Sequence, residues 1–116
     1  MDNIAAWFVI LVVILIVHLV EEIKTGFRKK LIIGEMPKSL FIGINALIYS
    51  FALAAFIMYL MNFRLGLLFI WIFTIGNIIN GIGHIALMVI KRDYFPGGIS
   101  AFSLLFVSLY LLYLLW

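Results

Sequence analysis

Residues 4–25 read IAAWFVILVVILIVHLVEEIKT, and this stretch decides the fold. Every side chain from Ile4 to Val17 is apolar, and about 20 such residues in a helix cross the hydrocarbon core of a bilayer. No basic residue precedes the run and no small-residue cleavage pattern follows it, so it reads as a retained span rather than a signal peptide. Three ionisable groups arrive in its last turns: His18, Glu21 and Glu22. At about 100° per residue the two glutamates straddle the direction of His18, and all three are expected on one side of the helix. Ionisable groups at membrane depth are costly, which makes such a cluster a functional-site hypothesis in its own right.

The rest of the chain extends the same pattern. Of 116 residues, 67% are hydrophobic and 11% charged, and the mean hydropathy is +1.30, far from the composition of a soluble domain. Three further spans are expected at about Lys38–Met61, Leu65–Ile90 and Ile99–Trp116, giving an all-α bundle of four transmembrane helices in a single domain over residues 1–116. Gly26, Gly34 and Pro37 punctuate the first loop, which has room for a short interfacial helix, and Pro96 with Gly97-Gly98 breaks the chain before the fourth span. Gly76, Gly81 and Gly83, with Ala86, are expected to let the third helix pack closely, and Met58, Met61 and Met88 to act as filler.

Lys24, Arg28, Lys29, Lys30 and Lys38 lie in or beside the first loop, Lys91 and Arg92 in the third, and only Arg64 on the opposite side. By the positive-inside rule both termini face outward from a cell membrane, and the chain is multi-pass. A net charge of +3 confined to loops suits orientation and lipid head groups rather than nucleic acid. The absence of cysteine leaves nitrogen and oxygen as the only metal ligands.

Helical rise fixes where the polar groups sit. His18 is six residues before Lys24, Asn45 seven after Lys38 and His84 seven before Lys91, so each lies about 9–11 Å from its inner anchor. Asn77, Asn80 and His84 also share one helical face. One polar pocket in the inner half of the bundle follows. His18, Glu21, Glu22 and His84 would supply two nitrogens and two carboxylates, enough for one zinc, iron or manganese ion, zinc foremost, with a position left open. In a hydrolytic version Glu21 or Glu22, not bound to the ion, is the general base, and Asn45, Asn77, Asn80 and Tyr94 orient ligands or substrate. A plainer reading makes Asn77, Asn80 and His84 interhelical glue and pairs the glutamates with Arg28 or Lys91 at the interface.

With those residues in place, the chain resembles the HXXEE family of small bacterial membrane proteins. The matching pieces are His18-Leu19-Val20-Glu21-Glu22, then Asn77, Asn80 and His84, then Tyr94-Phe95-Pro96-Gly97, in the family's order. The resemblance implies an active or metal site at His18, Glu21, Glu22 and His84, with Tyr94, Pro96 and Gly97 as a second signature, and it supplies no reaction. The leading expectation is a metal-dependent membrane hydrolase acting on an amphiphilic small molecule or lipid from the inner leaflet. The alternatives are an accessory or immunity subunit whose polar cluster fixes helix packing, and a proton- or ion-coupled component. A homo-oligomer or a membrane-protein partner fits the remaining apolar surface.

Overall fold

The computed structural model describes residues 2–31 and 34–116. Its helices are α1 (Asn3–Thr25), α2 (Lys38–Leu60), α3 (Arg64–Lys91) and α4 (Gly98–Leu115), and no strand occurs among the described residues. Each is long and apolar enough to cross a membrane, so the chain is a multi-pass membrane protein. The helix ends follow local chemistry. Asp2 caps α1 by accepting the Ala5 N–H at 2.8 Å, and α1 stops at Gly26, whose left-handed conformation turns its own N–H back onto the Glu22 carbonyl. The first loop holds one short helical turn, a 3-10 turn at Phe27–Lys29, among the described residues; residues 32 and 33 lie outside them.

Helix α4 packs on both α1 and α3, and α2 packs on α3, whereas α1 and α2 make few contacts with each other. The start of α1 meets the ends of α2 and α4. Tyr59 donates its hydroxyl to Asp2 at 2.7 Å, and the Trp7 and Tyr110 rings lie 4.6 Å apart. Both termini therefore sit at one end of the bundle, with an apolar core around Phe8, Leu11, Ile70, Phe73, Leu104 and Leu111. Phe8 joins α1 to α2 there through Phe56, its ring centroid 6.0 Å away. Toward the other end Phe27, just past α1, approaches Phe41 of α2 with ring centroids 6.2 Å apart, and between the two aromatic pairs a gap opens between the helices.

Outward faces carry large apolar side chains, such as Leu47 at 73% exposure and Phe106 at 75%, which acyl chains solvate in place of water. Of Gly76, Gly81, Gly83 and Ala86, Gly81 serves close packing: a Cβ there would come within 2.9 Å of Leu105 and 3.2 Å of the Ala101 carbonyl oxygen on α4. Gly76 and Gly83 have open space where a Cβ would stand, and Ala86 is exposed. That corrects the expectation that all four build a helix interface: Gly76 and Gly83, two turns apart, share a face that Gly81 does not.

Candidate metal centre

The last turns of α1, the C-terminal half of α3 and the turn before α4 converge at the end away from the termini. His18, Glu22 and His84 are all buried, and one ligand atom from each lies within 4.8 Å of the others. The Glu22 Oε2 atom is 3.4 Å from His84 Nε2 and 3.8 Å from His18 Nε2. The imidazoles stand edge to face, centroids 4.5 Å apart. These separations exceed a good hydrogen bond. The Glu22–His84 separation equals that of donors around a tetrahedral ion, since two ligands each about 2.1 Å from zinc lie about 3.4 Å from one another, and the Glu22–His18 separation is wider. His18 Nε2 and His84 Nδ1 are buried with no hydrogen-bond partner, and a buried unsatisfied polar atom costs about 1–3 kcal/mol.

Glu21 does not join this group. Its carboxylate crosses to α4, where Oε2 accepts the Ile99 N–H at 3.1 Å and Oε1 accepts the Ser100 N–H at 2.8 Å and the Ser100 hydroxyl at 2.6 Å. The Tyr94 hydroxyl also donates to Oε2. Gly97, at the N-cap of α4, has no side chain with which to cap it, so a carboxylate borrowed from α1 satisfies the open N–H groups and faces the positive end of the helix dipole. Adjacent glutamates, expected on one side with His18, are thus divided between two neighbours.

Glu21 still reaches the imidazoles through Ser100. With the Ser100 proton committed to Glu21, its oxygen accepts from His18 Nδ1, 2.7 Å away. In the neutral ring this logic places the proton on Nδ1 and the lone pair on Nε2, aimed at Glu22, and such an outer contact also fixes ring orientation. Gly97 completes the floor. A Cβ there would stand 2.7 Å from Cε1 of both His18 and His84, and its φ of +88° is one that glycine adopts without strain. Phe95 and Phe27 close the site, their rings 5.5 Å from that of His84.

The remaining expected residues divide by location. Asn45, Asn77 and Asn80 line a cavity of about 890 Å³ in the gap between α1, α2 and α3, and Glu22 lines it too. Asn77 and Asn45 each turn an amide N–H onto their own helix, at Phe73 and Phe41, both at 2.9 Å. Asn77 is therefore not bonded across helices, as glue would be. Tyr94 does not fold over the pocket; it is 39% exposed and clamps Glu21. Its phenol is pushed above the usual tyrosine range by burial and then by its bond to Glu21. Arg28 pairs with Glu35 at 2.9 Å, and Lys91 lies over the Phe95 ring, 5.1 Å from its centroid, so neither takes up the glutamate pairing set out as the plainer reading.

Sequence reasoning missed Ser100 and gave Gly97 no role in contact with the imidazoles. The available signals were a serine two residues inside an apolar helix and a glycine three positions before it. A family model described as "Protein of unknown function with HXXEE motif" matches residues 9–111. No curated protein and no solved structure matches the chain.

Proposed function

The chain belongs to the HXXEE family, and we propose that this member is a metal-dependent membrane enzyme of hydrolytic type, with His18, Glu22 and His84 as ligands to a divalent ion. The observation that carries the reading is two buried imidazoles and a buried carboxylate with ligand atoms within 4.8 Å of one another, Glu22 Oε2 lying 3.4 and 3.8 Å from the two Nε2 atoms, and His18 Nε2 having no hydrogen-bond partner. Helix packing alone gives no return for burying them. A zinc, iron or manganese ion held by two imidazoles and one carboxylate keeps an open position, and when bound it supplies Lewis acidity and a water acidified toward neutrality.

The protein's own groups have distinct tasks. Glu22 borders the cavity, so a molecule entering from that side meets the centre at its carboxylate. The second oxygen of Glu22 is the base that takes a proton from an attacking water. Glu21, its oxygens occupied by α4 and Tyr94, is a positioning residue rather than a base. Ser100 holds His18 with Nε2 inward. Asn77 and Asn80 line the wall beside Glu22, where their amides would meet the polar atoms of an amphiphile. The positive-inside rule, applied to the basic loops, supports a cytoplasmic orientation for this end.

Metal analysis of detergent-purified protein tests the reading. About one divalent ion per chain is expected, lost in His18→Ala and His84→Ala, with ester or phosphoester cleavage that a chelator abolishes and added metal restores. Folded protein that takes up no zinc, iron or manganese on reconstitution would overturn it.

A further inference from the structure

The cavity beside Glu22 has the length of one leaflet. It runs along α2 from Phe41 to Phe51, a rise of about 15 Å, half of the roughly 30 Å hydrocarbon thickness of a bilayer. Its walls are mostly apolar, contributed by residues such as Leu15, Leu19, Ile48 and Phe73, and no lysine or arginine lines it. At about 890 Å³ it lies toward the upper end of small-molecule pockets, roughly 300–1,000 Å³.

A second cleft, about 640 Å³, continues from its polar end, and the two share Glu22, Phe27 and Phe41. Here the chemistry reverses. Lys24, Arg28, Lys29 and Lys38 line this cleft, against Glu22 as its one acid. Arg28 is fixed by Glu35 and by the Met36 carbonyl at 3.3 Å. A long apolar slot thus opens into a cationic mouth, and the carboxylate at the junction is nine-tenths buried.

We propose that the two cavities together bind a single-chain anionic amphiphile, a long-chain phosphate monoester. Its chain lies in the gap between α1 and α2, its phosphate on the basic cleft and the bond joining them near Glu22. The assignment rests on the functional reading above for the role of Glu22, and on charge complementarity for the head group. One chain fits because the slot has leaflet depth and a single gap between helices. A free phosphate would leave the slot unfilled and gain none of its apolar burial, so it is not the ligand the two cavities together fit.

A photoreactive hexadecyl phosphate, added to the full chain in phosphatidylcholine nanodiscs, reads out the proposal. Labelling is expected on residues 41–51 of α2 and 72–80 of α3. Unlabelled hexadecyl phosphate should compete at least tenfold better than hexadecyl glycerol ether, and inorganic phosphate should not compete. Gly76 lines the slot with open space at its Cβ position, so Gly76→Phe should plug it and cut labelling at least tenfold while metal content is kept. Ile48→Trp on the α2 wall serves the same purpose should that variant fail to fold. Gly83→Phe, also with open space but lining neither cavity, should label as the unmodified chain does. Lys24→Gln with Lys38→Gln should erase the preference for phosphate over the neutral ether.

His84→Ala separates the two ideas: it should lose metal and keep labelling. Equal competition by the neutral ether, competition by inorganic phosphate, or full labelling of folded Gly76→Phe would each overturn the amphiphile site while leaving the metal centre standing. A chain that labels as expected but never holds metal would overturn only the centre.

Discussion

Two faces of α1, one residue apart, are treated oppositely. On the α4 side Glu21 is saturated: two backbone N–H groups, a serine hydroxyl and a tyrosine hydroxyl converge on its carboxylate. On the α3 side Glu22 is buried beside two imidazoles at 3.4 and 3.8 Å, and His18 Nε2 there has no hydrogen-bond partner. A saturated carboxylate holds structure together, whereas an under-satisfied one in a buried pocket is poised for something that arrives from outside. The difference teaches that H-x-x-E-E encodes a clamp and a ligand in neighbouring positions.

Gly97→Ala should break the contrast altogether, because the new methyl meets both imidazoles and the backbone is left-handed there. Overpacking costs about 1–3 kcal/mol and a left-handed alanine about 1–2. A loss of about 2–5 kcal/mol in a denaturant titration in bicelles is expected, together with loss of metal.

The paired variants Glu21→Gln and Glu22→Gln sharpen it. Glu22→Gln should weaken metal binding by about 100-fold or more and leave unfolding within about 1 kcal/mol of the unmodified chain, because it removes a ligand but no satisfied hydrogen bond. Glu21→Gln should do the reverse, costing about 1.5–3 kcal/mol through its charge-assisted bonds and only about tenfold in metal affinity through His18. Equal metal loss in both would mean that the two carboxylates act as one set.

Ser100→Ala lies between the faces. Metal affinity should fall by about 10- to 100-fold, and ¹⁵N NMR of the metal-free protein should show His18 losing its preference for a proton on Nδ1. A change in stability without a change in tautomer would make Ser100 merely a packing residue.

Tyr94→Phe should have the smallest effect, removing one partner of a carboxylate that keeps three others. Its sign with pH is fixed. The folded phenol is held above its unfolded value near 10, so its contribution is complete below that pH and fades as pH rises through the raised value. Unmodified protein should lose stability at strongly alkaline pH more steeply than Tyr94→Phe does.

The sequence by itself determined the spans and the depth of their polar groups. Helix boundaries fall within one residue of expectation, at Asn3–Thr25, Lys38–Leu60, Arg64–Lys91 and Gly98–Leu115, because membrane insertion is a one-dimensional criterion of length and hydropathy. The meeting of His18 and His84 was legible for the same reason, since a fixed rise per residue sets depth from the loop anchors. Rotation about each helix axis was not legible. In lipid an outward leucine is as well solvated as an inward one, so these helices, apolar all round, carry little periodic signal of which face meets a neighbour. Only the packed bundle, through contacts such as Gly81 against Ala101 and Leu105, decided that Glu21 turns to α4 and Glu22 to His84. The same packing opened the gap between α1 and α2 beside Glu22.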